Sequence, residues 1–180
     1  MRLIGLFLNN CIRTGGHRRY IELLEDLAQR GHNVSVIMNE DLPYTPENII
    51  PRRIACAYNK GFLTPVSISF KRAVKRLIEQ DPAFFGGADL LHIHGETHLA
   101  SAVFIKKRYG IPFMYAHRSN TVREVLVAMA DRSVSPFRCF FLIIDLLRYR
   151  INERTIAAQA DSIVFQSPYD MEDFCARNHG

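Results

Sequence analysis

Apolar residues along this chain follow two rhythms. Short, nearly continuous apolar runs read as buried strands at residues 2–8, 33–38, 52–58, 88–95, 111–119 and 161–167. Between them, apolar positions recur at three-to-four spacing. Tyr20, Ile21, Leu24, Leu27 and Ala28 mark one helix from about His17 to Arg30, with Gly31 as its stop. Phe70, Val74, Leu77 and Ile78 mark a second over 67–80. Further helices are predicted at 97–110, at 120–131, at 135–160 with Ser135 as N-cap and Pro136 in the first turn, and from Pro168 onward. Pro43, Pro46 and Pro51 put residues 39–51 in a loop, so the second crossover helix is missing or very short. No internal repeat or low-complexity segment interrupts the pattern.

Short apolar strands alternating with helices imply a parallel sheet covered on both faces. The expected fold is α/β, a Rossmann-like doubly wound sheet with strand order 3-2-1-4-5-6. In such a sheet ligands bind beyond the carboxyl ends of the strands, at the switch between strands one and four. That rule alone gathers a set of residues. It takes Asn9 to His17 after strand one and His94, Gly95 and Glu96 after strand four. It adds His117 and Arg118 after strand five and Ser167 after strand six.

The joint between strand one and its helix reads "NNCIRTGGHRRY". Gly15 and Gly16 let an oxygen-rich ligand approach bare backbone, and the helix N-terminus behind them offers free N–H groups and partial positive charge. Arg13, His17, Arg18 and Arg19 surround them. An anionic ligand such as a phosphate fits; a tight turn with solvated arginines is the plain alternative. The joint lacks GxGxxG, which disfavours a nicotinamide cofactor. In "HIHGE", His92 and His94 share a strand face with Glu96 two residues on. The pair could ligate a metal, but no third ligand is evident beyond His98 or His117, so no metal is expected. His92 reads as a packing histidine. His117, closing strand five, is placed to hydrogen-bond a sugar hydroxyl or stabilise developing charge.

Composition narrows the setting. A chain of 180 residues, 48% hydrophobic, suits one domain with its own core. The net charge of +5 suits phosphorylated ligands or an anionic membrane surface and is too small for a dedicated nucleic-acid binder. Four widely spaced cysteines, Cys11, Cys56, Cys139 and Cys175, show no zinc spacing and read as reduced thiols in a cytoplasmic protein. No signal peptide is legible, and no apolar run approaches the ~20 residues of a membrane span. The segment 137–150 is very apolar and edged by arginines. The plain reading is a core helix. The sharper one is a surface that touches the inner face of a membrane, and Asp145 in its middle argues against deep insertion. The last pattern, a strand, a turn and an opening helix, ends in mid-course, which suggests a fragment.

Three segments resemble glycosyltransferase family 4: "TGGHRRYIELLEDLAQRGHNVSVI", "ADLLHIHGETHLASAVFIKKRYGIPFMYAHRS" and "ADSIVFQSPYDMEDF". They fall in the family's order and cover residues 1 to about 175. The resemblance implies the N-terminal, acceptor-side half of a two-domain GT-B enzyme whose C-terminal donor domain is absent. It implies donor phosphates at Gly15 and Gly16 and a catalytic role for His117. The resemblance also matches His94, and the strand-end rule adds Asn10, Arg13, Glu96, Arg118 and Ser167 as candidate acceptor or substrate contacts. The partners would be a nucleotide-sugar, a glycan or lipid-linked acceptor and the enzyme's own second domain. The full protein would then be a retaining, metal-independent hexosyltransferase, for instance in polysaccharide biosynthesis, and this half alone inactive. Two other readings stand beside it. One is a GT-B sugar-nucleotide epimerase, in which His94, Glu96 and His117 carry more weight. The other is a non-catalytic module that binds an anionic ligand.

Overall fold

The computed structural model describes residues 1–12, 15–56, 66–117, 121–130 and 135–178. Six strands form one parallel sheet: β1 (Arg2–Phe7), β2 (Asn33–Asn39), β3 (Ile50–Ile54), β4 (Leu90–His94), β5 (Phe113–His117) and β6 (Ser162–Phe165). Their order is β3-β2-β1-β4-β5-β6, as the alternating pattern predicts. The helices are α1 (Gly15–Gln29), α2 (Val66–Gln80), α3 (Leu99–Tyr109), α4 (Thr121–Ala130), α5 (Pro136–Gln159) and α6 (Pro168–Asn178), with a short 3-10 turn at Glu96–His98.

The ends of these elements have local causes. Gly31 at φ 85 closes α1: its N–H bonds to the Ala28 carbonyl, and the His32 N–H reaches back to Leu27. Gly110, at φ 71, ends α3 in the same left-handed way. Ser135 caps α5 by accepting from the Arg138 N–H at 3.3 Å. Residues 40–49 join β2 to β3 without a helix, as the prolines require.

Most boundaries shift by one or a few residues from the sequence reading, and two of these shifts have a clear consequence. β3 starts at Ile50 and contains Pro51, which the proline count assigns to the loop. β3 is an edge strand paired only with β2, and a residue without an N–H is tolerated there. α1 begins at Gly15, two residues before His17, so Gly15 and Gly16 form its opening turn.

Strand pleating sorts the apolar residues into two cores. Ile4, Leu6, Leu8, Leu91, Ile93, Phe113 and Tyr115 pack with α2, α3, Ile156 of α5 and Phe174 of α6. Leu3, Phe7, Val34, Val36 and Met38 pack on the other face beneath Tyr20, Ile21 and Leu24 of α1. Each large side chain removed from water in this way contributes about 1.5–3 kcal/mol.

Between β1 and β4, where the strand order reverses, two side chains enter the backbone ladder. The buried Tyr20 hydroxyl accepts from the Leu6 N–H at 3.1 Å and donates to the His92 carbonyl at 2.7 Å. One turn further, His98 Nε2 accepts from the Leu8 N–H at 3.1 Å. That contact leaves the proton on Nδ1, which lies 3.1 Å from the His94 carbonyl and donates to it. Gly5 makes room for this arrangement, because a Cβ there would lie 2.6 Å from Leu24 Cδ1 and 3.0 Å from the Tyr20 oxygen.

Replacing Tyr20 with Phe strands a buried donor and a buried acceptor. The expected cost is about 1–3 kcal/mol, read as a lower urea midpoint with an unchanged m-value.

Candidate functional site

The candidate residues lie at the carboxyl rim of the sheet, but pleating divides them. His92 and His94 do share a face, as their spacing predicts. It is the α1 face: the His94 ring stacks on Tyr20 at 4.8 Å and 5°, and His92 lies 5.1 Å from the same ring. His117 follows Phe113 and Tyr115 in parity and points to the opposite face. There its ring packs against Phe165 at 5.1 Å and Phe174 at 5.5 Å. His94 and His117 end adjacent strands without sharing a chamber.

On the α1 face, the opening turn at Gly15 and Gly16 follows the loop from β1. Among the described residues, a Cβ at Gly15 would meet nothing within 4 Å. His17 sits edge-on to Phe7 at 5.4 Å, and Arg18 is paired with Glu22 at 2.9 Å on the surface. Asn10 is half-buried and accepts from the Cys11 thiol at 3.3 Å. Arg13 and Arg118 lie outside the described residues. Beside α1, a cavity of about 330 Å³ opens between Arg18, Ile21, Glu22 and Glu25 of the helix, Ile12, and loop residues Tyr44 and Glu47. Glu25 holds its loop wall by accepting from the Tyr44 hydroxyl at 2.9 Å and the Glu47 N–H at 2.8 Å. Burial and the nearby Glu25 push the Tyr44 hydroxyl up to about 12.

On the other face Glu96 leads. Burial raises its carboxyl to about 7, opposed by the Asn152 amide of α5, which donates to it at 3.0 Å. Its neighbourhood contains a group absent from the sequence reading. Glu153 of α5 is buried and accepts from Arg177 Nη2 at 2.6 Å, Arg177 Nε at 3.1 Å and Arg150 at 3.1 Å. Arg177 also pairs with Asp173. This cluster ties α5 to α6 beside His117. Burial lowers the His117 pKa, while the carboxylates of Glu153 and Asp170 pull it up and Arg177 pushes it down. Its Nδ1 has no hydrogen-bond partner among the described residues. Glu153 and Arg177 are far apart in sequence, and each reads alone as a solvated helix charge. Only helix docking makes them a pair. Ser167 accepts from the Asp170 N–H at 3.1 Å and donates to the Asp170 carboxylate at 2.7 Å, so its hydroxyl caps α6. Among the described residues no three His, Cys, Asp or Glu side chains gather as a metal site.

Against known families, the model for Glycosyltransferase Family 4 matches residues 13–179. The chain belongs to glycosyltransferase family 4. No curated protein sequence matches it. Among solved structures, the chain is similar to sucrose-phosphate synthase from Thermosynechococcus elongatus (TM-score 0.67, 16% identity, 98% of this chain and 45% of that one). It is also similar to Os79 from O. sativa in complex with UDP (0.62, 10%, 96% and 49%). A third is LpCGTa in complex with UDP (0.61, 11%, 95% and 49%). At these identities the likeness is one of fold: this family 4 chain has the Rossmann-like architecture of a GT-B N-terminal half. It spans about half the length of those structures.

Two opposed pH effects follow. His92 and His98, both lowered to about 4 by burial, cost the fold stability as pH falls from 6.5 towards 4, where the unfolded chain binds more protons. Glu96, raised from 4.5 to about 7, acts in the other direction: the folded state holds the extra proton, so stability is lost as pH rises from 4.5 through 7. Glu96→Gln is expected to become more stable relative to wild type as pH rises across that window. Urea midpoints of both proteins measured in parallel check it; a pH-independent difference contradicts the shift.

Proposed function

We propose that this chain is the acceptor-side half of a two-domain, retaining glycosyltransferase that moves a hexose from a nucleotide-sugar to a glycan or lipid-linked acceptor. Membership of family 4 supports glycosyl transfer. The observation that carries the finer reading is the first turn of α1 at the β1–β4 switch, since free N–H groups and a helix dipole suit a departing diphosphate. Two structural neighbours are complexes with UDP, which supports a nucleotide donor.

In this reading Gly15 and Gly16 meet the donor phosphates. His117, kept neutral by burial, hydrogen-bonds the reacting sugar as charge develops on it. Glu96, close to half-ionised at neutral pH, accepts from an acceptor hydroxyl, with Asn10, His94 and the cavity beside α1 shaping the acceptor side. Asn152 and the Glu153–Arg177 pair position these groups. Ser167 acts indirectly, by holding α6 against His117. No metal takes part. Transfer needs donor and acceptor oriented in a closed cleft, so the half alone does not turn over.

The test is a screen of UDP-, GDP- and ADP-sugars on this chain and on any longer polypeptide its gene encodes, with and without EDTA. Nucleotide release only by a longer form, unchanged by EDTA and lowered roughly a hundredfold by His117→Ala, is expected. Transfer by these 180 residues alone, or activity abolished by EDTA, overturns the reading.

A further inference from the structure

We propose that the outer face of α5, with the end of α4, docks on an anionic phospholipid bilayer. This inference rests on the surface itself and not on the catalytic reading. The plain expectation for residues 137–150 was a core helix. Instead Phe137 is 74% exposed, Phe140 58%, Leu147 60% and Ile151 64%, with Ile144 also exposed. At 3.6 residues per turn these five positions fall within about 80° of the helix circumference and run about 21 Å along its axis. α4 lies alongside and adds the exposed Leu126 and Val127. Single exposed apolar residues are ordinary on a protein surface; a continuous strip of this kind marks an interaction site.

The charges select its occupant. α5 carries Arg138, Arg148, Arg150 and Arg154 against two acids, Asp145 and Glu153. Glu153 is buried in its pairs with Arg150 and Arg177, and Asp145 is paired with Arg148 at 3.2 Å. The acid that argues against deep insertion in the sequence is thus paired on its own helix. Arg138 and Arg154 form no ion pair among the described residues, and α4 adds one charge of each sign, Arg123 and Glu124. A second copy of this face would set arginines against arginines, with no free carboxylate on α5 to receive them. An apolar strip flanked by unpaired cations is complementary to acyl chains beneath anionic headgroups. Among the described residues no helix is long and apolar enough to cross a membrane, so α5 would lie in the interface plane.

Co-sedimentation tests the proposal, using phosphatidylcholine vesicles with about one-third phosphatidylglycerol and vesicles of phosphatidylcholine alone. The protein is expected to pellet with the anionic vesicles. Phe140→Ser/Leu147→Ser should weaken that partitioning at least tenfold, and Arg138→Gln/Arg154→Gln should weaken it on anionic vesicles only, both with unchanged urea midpoints. The chain has no tryptophan, so Phe140→Trp adds a single tryptophan whose signal does not depend on the double variants folding. Its emission should shift to the blue with anionic vesicles and be quenched by brominated acyl chains. Failure of the wild type to bind anionic vesicles overturns the proposal. So does undiminished binding by the apolar double variant, an unshifted emission from Phe140→Trp, or a dimer that Phe140→Ser/Leu147→Ser dissociates.

Discussion

The Tyr20 hydroxyl between β1 and β4 is the contact on which the working edge of this molecule depends. A parallel ladder runs by backbone bonds alone, yet here a side chain from α1 takes the Leu6 N–H and returns a donor to the His92 carbonyl. His98 repeats the device one step further, taking the Leu8 N–H and donating to His94. Each insertion satisfies buried backbone groups where the strand order reverses. The first turn of α1 follows β1 at this switch point, and the turn carrying Glu96 follows β4. Gly5 belongs to the same device, since a larger residue would drive Leu24 and Tyr20 away.

Pleating then gives the rim two chemistries. The α1 face holds the helix N-terminus, the Arg18–Glu22 pair and two histidines packed against one tyrosine, His94 stacked and His92 tilted. The opposite face holds a carboxyl raised by burial to about 7 and an imidazole whose pKa burial lowers. Adjacent strands end in His94 and His117, but alternate parity sends them apart. The two imidazoles therefore face different layers of helices.

The buried Glu153 shows how such a rim is held steady. A carboxylate at that depth is costly unless its oxygens are satisfied, and Arg150 and Arg177 supply that. The result locks α6 against α5 beside His117. The inner side of α5 therefore works for the site while its outer side stays apolar, which divides one long helix between two surfaces.

The rhythm of apolar positions by itself determined the element order, the parallel sheet and its 3-2-1-4-5-6 order, because buried strands and one-sided helices leave distinct periods that few topologies satisfy. It also placed Gly15, Glu96 and His117 at the carboxyl rim, since strand ends are legible wherever an apolar run stops. Pro51 was misplaced because a proline's cost depends on whether its strand lies at an edge, and edges exist only in the assembled sheet. Tyr20 and His98 both read as helix residues, for their role in the ladder is set by backbone atoms distant in sequence. Glu153 and Arg177 read as surface charges until two helices met. The exposure of Phe137, Phe140 and Leu147 was likewise decided by tertiary structure, because an apolar stripe tells how much surface a helix would bury but not which neighbour, if any, covers it.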